Sequence, residues 1–126
     1  MDEKTFKART KKLAVTIIKQ MDVLPRSRAA DVIAKQIIRS ATSIGANYRA
    51  ACRAKSTPDM INKLKIVEEE SDETMYWLEI LVEAGLAPKE QIRDLYKETN
   101  EILSMTIASI KTLRGRSQSK IVNPKS

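Results

Sequence analysis

The chain contains no histidine. That removes the side chain that most often acts as a general base near neutral pH, every His-containing metal site and every Cys–His nucleophile pair. There is one cysteine, Cys52. No intrachain disulfide can form, which fits a reducing cytoplasm. Cys52 falls at the edge of an apolar helix face, the place of an inert thiol rather than a nucleophile. Three glycines and four prolines in 126 residues leave few places to turn, so the elements must be long. Aromatics are also scarce. Only Phe6, Tyr48, Tyr76, Trp77 and Tyr96 are present, which leaves the core to Ile, Leu, Val, Met and Ala. No run of about 18 apolar residues exists, so no membrane-spanning helix is predicted. The start of the chain has basic residues but neither the apolar stretch nor the cleavage site of a signal peptide. Glycine-rich phosphate loops, the Walker lysine motif and the dinucleotide fingerprint are all missing. These absences predict a protein that is not an enzyme, has no cofactor and is cytoplasmic.

What the chain does have is charge, and it is unevenly placed. The formal net charge is +7 and the pI about 9.6, which bears on association with anions rather than on fold. Between Arg26 and Lys55 there are seven basic residues and one acid, Asp31. Between Ser56 and Gly85 there are eight acids against Lys63 and Lys65. The basic segment is also patterned. At roughly 100° per residue, Arg28, Lys35, Arg39, Arg49 and Arg53 fall within roughly 80° of one another, opposite Ile33, Ile37, Ile44 and Tyr48. A core face backed by a cationic face points to a polyanion-binding surface built on these five residues.

Periodicity predicts four helices. The first covers Glu3 to Asp22, with Phe6, Leu13, Ile17 and Met21 on one face, and Pro25 ends it. The second runs from Arg26 to Ala54 and tolerates Gly45, which costs only about 1 kcal/mol relative to Ala and allows close helix contact. Ser56 or Thr57 caps the third, with Pro58 in its first turn. That helix runs from Pro58 to Ala84 and ends at Gly85, a suitable left-handed residue. Pro88 opens the fourth, which runs to Arg114 with Gly115 as its stop. Residues 116–126 lack periodicity and carry three basic residues and no acid, so a disordered basic tail is predicted from 115 onward. It is either an electrostatic arm or a frayed end. Short connections between long helices predict one all-α domain over residues 1–114, an antiparallel up-down four-helix bundle.

The third helix has a second apolar face. With Leu64 as reference, Met60, Val67, Ser71, Met75, Leu78 and Val82 form a core stripe. Ile66, Trp77 and Ile80 lie at roughly 160–220° from it. An apolar strip on the outside of a bundle predicts self-association, with Glu70 and Glu73 beside it to pair with a neighbouring subunit. The acidic run Glu68 to Glu73 invites a metal reading. However, consecutive acids radiate in different directions around a helix and no His is at hand, so no metal site is predicted. Gln36, Ser40, Ser43 and Asn47 form a polar ridge beside the basic stripe. They meet either RNA or a subunit, or else Glu69 and Glu73 of the third helix.

The segment Gln36-Ile37-Ile38-Arg39-Ser40-Ala41-Thr42-Ser43-Ile44-Gly45-Ala46-Asn47-Tyr48-Arg49 resembles the signature of the 23S rRNA intervening-sequence protein family. So does Lys63-Leu64-Lys65-Ile66-Val67-Glu68-Glu69-Glu70-Ser71-Asp72-Glu73-Thr74, followed by Trp77-Leu78 and Ala84-Gly85. The likeness spans roughly residues 6–114. It implies a bacterial four-helix bundle assembled as a ring-like homopentamer. It also implies RNA binding, on grounds of gene context and charge, and no catalytic residues. A distant relative with the same fold, the accessory variability determinant of diversity-generating retroelements, adds a reverse transcriptase as an alternative partner. The combined expectation is an oligomeric scaffold that binds nucleic acid, RNA in particular. The alternative is a protein adaptor whose charges serve subunit assembly.

Overall fold

In the computed structural model, which describes residues 2–122 and side chains through Arg116, the chain forms four helices and, among the described residues, no strand. They are α1 (Glu3–Asp22), α2 (Arg28–Cys52), α3 (Thr57–Glu83) and α4 (Lys89–Val122). Each packs on the next in chain order, and α4 closes back on α1. Among the described residues, no diagonal pair of helices brings Cα atoms within 8 Å.

The ends are set by local chemistry. Asp2, Ser27 and Ser56 are N-caps, their side-chain oxygens accepting from the backbone N–H of Thr5, Ala30 and Asp59. Pro58 occupies the first turn of α3. Gly85, at φ 73°, follows the C-cap Ala84. The N–H of Gly85 donates to the Val82 carbonyl, and that of Leu86 to the Leu81 carbonyl. This is a Schellman closure that satisfies carbonyls the helix end leaves free.

The predicted end of the fourth helix needs correction. The helix does not stop at Arg114 but continues through Gly115 to Val122. Gly115 does not take a positive φ, and one helical glycine costs only about 1 kcal/mol. No proline lies between Pro88 and Pro124. The rest of the predicted disordered tail, residues 123–126, lies outside the described residues.

The core is aliphatic, with Phe6 meeting Tyr48 edge to face at a centroid distance of 4.5 Å. Hydroxyls are interspersed in it. Thr10, Ser40, Ser71, Thr99 and Thr106 are buried and donate to carbonyls one turn back on their own helices. Small residues allow close approach. A Cβ on Gly45 would lie 3.3 Å from Thr10 Oγ1, so the glycine fits the α1–α2 seam, as its position in the sequence suggested.

Candidate nucleic-acid interface

The apolar face of α2, from Ala30 through Ile33, Ile37, Ala41, Ile44 and Tyr48 to Ala51, is buried. The opposite face therefore points outward. Arg28, Lys35, Arg39, Arg49 and Arg53 are all exposed on it. Arg28 to Arg53 spans the 25-residue helix and its C-cap, which at 1.5 Å per residue is about 37 Å.

The five are not equivalent. Arg39 is held by α3. Its Nη2 donates to Glu73 Oε2 and lies 3.3 Å from Glu70 Oε2. The guanidinium keeps the Glu73 carboxyl below the usual carboxylate range. Glu70 behaves oppositely. Its side chain is 17% exposed, Oε2 is buried and receives no directed hydrogen bond, and burial pushes its carboxyl up despite Arg39. Proximity without a hydrogen bond does not offset desolvation. By contrast, Arg28, Lys35, Arg49 and Arg53 make no ion pair among the described residues. They form a cationic surface with its charge free.

One member of the polar ridge, Ser40, serves the α2–α3 seam. Thr74 Oγ1 donates to Ser40 Oγ at 2.8 Å, and both are buried. Asn47 Nδ2 donates to the Ser43 carbonyl, one turn back. None of the ridge side chains hydrogen-bonds Glu69 or Glu73, so that expectation is corrected. Helical phasing could not foresee the Ser40–Thr74 contact, because it depends on the register of two helices.

The strip expected to be exposed on α3 is half-buried. Ile66, Trp77 and Ile80 are intermediate in burial, and Trp77 and Ile80 pack against the core. The buried arc of α3 includes Thr74 and Leu81. Its centre is rotated by about 40° from Leu64 toward α2, which brings Trp77 onto the shoulder of that seam. Glu73 Oε1 accepts from Trp77 Nε1 at 3.4 Å. Glu70 and Glu73, assigned to a neighbouring subunit on sequence grounds, are thus engaged within this chain. The exposed aromatic on α3 is Tyr76, 54% exposed and edge to face with Trp77.

Sequence reasoning missed the tie between α1 and α4. Arg9 Nε donates to Glu98 Oε2 at 2.8 Å, and Nη2 donates to Glu98 Oε1 and Glu101 Oε2, each at 2.7 Å. This fork geometry holds the Glu98 carboxyl below its ordinary range. The available signal was Glu98 and Glu101 three apart on α4.

Two concave regions are mainly apolar. One, of about 490 Å³, opens at the end of the bundle beside Tyr48, Cys52, Met60 and Met105. Burial raises the Cys52 thiol, which favours its protonated form. The other, of about 430 Å³, lies between α3 and α4 over Leu78, Val82, Ile92 and Tyr96. Among the described residues no group of three His, Cys or acidic side chains converges as metal ligands. None of the helices is long and apolar enough to cross a membrane, among the described residues.

Comparison with known proteins agrees with this architecture. The model of the 23S rRNA-intervening sequence proteins matches residues 4–108. A crystal structure of a protein of unknown function from the S23 ribosomal protein family of Bacteroides thetaiotaomicron superposes with a TM-score of 0.81. The two are 39% identical over 88% of this chain and 99% of that one. No curated protein matches. The chain belongs to the 23S rRNA-intervening sequence protein family.

Proposed function

We propose that the protein is a non-enzymatic, homo-oligomeric scaffold whose cationic face binds nucleic acid, RNA foremost. The observation that carries this is the free charge of Arg28, Lys35, Arg49 and Arg53 along the outside of α2. Four cations on a rigid rod suit repeated phosphates, and phosphate contacts confer affinity without sequence selectivity. The connections of four or five residues and the closure of α4 on α1 support an antiparallel up-down bundle. Self-association is supported by the half-buried Ile66, Trp77 and Ile80 together with exposed Tyr76. A ring-like pentamer is the assembly implied by the family resemblance, and a cytoplasmic location goes with RNA as ligand.

A second reading rests on the apolar cleft between α3 and α4, rimmed by Glu79 and Lys97. It would receive a protein partner such as a reverse transcriptase, making the molecule an adaptor.

The test is fluorescence polarisation of a labelled 20-bp RNA duplex with the full chain. Four phosphate contacts predict an affinity loss of about 100-fold between 50 and 200 mM salt. Affinity that does not change with salt rejects the nucleic-acid reading. Copurification of a polymerase from the native host, with no such RNA binding, supports the adaptor.

A further inference from the structure

The cationic stripe of α2 has a counterpart on α1. A cleft of about 600 Å³ lies in the seam between the start of α1 and the end of α2. Its floor is low because Ala8, Gly45 and Ala46 line it. Lys7 and Lys11 stand on the α1 side and Arg49 on the α2 side. Lys11 and Arg49 are exposed, and neither makes an ion pair among the described residues. Among the described residues Lys7 pairs only with Glu3, at 3.7 Å, with side chains 40% and 59% exposed, an arrangement that water and salt screen.

The opposite end of the same seam is different in character. There Asp22, Asp31 and Arg26 surround Ile18 and Ile38, and Arg26 is paired with Asp31 at 3.4 Å. Positive charge from two helices therefore converges at one end only.

We infer that this end is a phosphate seat, where the sugar–phosphate backbone of an RNA duplex crosses from α1 to α2. Lys7 and Lys11 act as point charges on one side of the cleft. Arg49 offers a planar fork on the other. The short floor side chains let the backbone sit low but cannot reach base edges. No aromatic lines the cleft, so a single strand finds no stacking platform. The assignment rests on the nucleic-acid reading above and extends it from one helix face to a two-helix site.

Two triple variants of the full chain, equal in net charge, test it. Lys7→Gln/Lys11→Gln/Arg49→Gln removes the seat. Lys65→Gln/Lys89→Gln/Lys111→Gln removes three exposed cations elsewhere. The probes are a labelled 20-bp RNA duplex and an unstructured 20-nucleotide RNA. The seat variant is expected to bind the duplex at least about tenfold more weakly than the control variant, with a log–log salt slope shallower by about 2 to 3. Ala46→Glu, which places an anion on the floor and keeps every cation, is expected to weaken binding likewise. Equal affinity of the two triple variants overturns the seat while leaving the nucleic-acid reading intact. Tighter binding of the single strand than of the duplex also overturns it. No salt-dependent binding by the unaltered protein removes the reading beneath it instead.

Discussion

Arg39 and Arg49 lie ten residues apart on the same outward face of α2, yet their surroundings differ. Arg39 faces two glutamates of α3 and ties one helix to the next. Arg49 faces Lys7 and Lys11 across a cleft and has no carboxylate partner among the described residues. Arg9 repeats the first situation at the α1–α4 seam. An arginine's role in this fold is set by what the neighbouring helix presents to it. Counting cations on α2 overstates the surface available to a ligand by one, and ignoring α1 understates it by two.

The largest effect should fall on the free set. Replacing Arg28, Lys35, Arg49 and Arg53 together by Gln is expected to reduce affinity for duplex RNA by about 100-fold at low salt. Urea midpoints should shift little, because exposed unpaired charges contribute within about 0.5 kcal/mol. Next comes the clamp. Arg9→Ala leaves Glu98 and Glu101 facing each other half-exposed, and should cost about 1.5 kcal/mol in urea unfolding, with RNA affinity unchanged. A stability loss from the quadruple variant as large as that from Arg9→Ala would erase the distinction between the two groups.

Acid should act on the clamps, and also on the Asp2 cap of α1, whose carboxyl the Thr5 hydroxyl holds below its ordinary range. Glu98 and Glu73 are held below their ordinary pKa by Arg9 and Arg39. Their contribution is present above the unfolded carboxylate value near 4.5 and is lost as pH falls through the lower folded values. Unfolding midpoints from pH 7 to 3 should fall more steeply for the unaltered protein than for Arg9→Ala. The smallest effect separates two neighbours. Glu73→Gln should cost about 0.5 kcal/mol by loss of the Arg39 bond. Glu70→Gln should be neutral or slightly stabilising at pH 7, because burial already disfavours the Glu70 charge. A larger loss for Glu70→Gln than for Glu73→Gln would invert the assignment of the Arg39 partner.

Most of the helical layout was readable from punctuation. Pro25, the Ser56–Pro58 pair and Gly85 mark breaks because their backbone preferences act locally. Gly115 misled for the same reason, since a glycine stops a helix only when the chain turns into the left-handed region there. The outward direction of the five basic residues was also legible, since it follows from the burial of Ile33, Ile37, Ile44 and Tyr48 on one rod. Three features were not. The pairing of Arg39 with Glu70 and Glu73, the Ser40–Thr74 bond and the Arg9 clamp each require the register of two helices. The phase of α3 also depends on its neighbour, because Thr74 and Leu81 bury the side toward α2 and draw Trp77 with them, which moves the buried centre off Leu64.

The charges of the cationic face and its cleft are carried by arginine and lysine. The chain has no imidazole, the side chain that most often makes a surface respond to pH near neutrality. Mobile ions and competing polyanions can turn that surface down by screening or occupying it, and covalent neutralisation of a lysine by removing its charge.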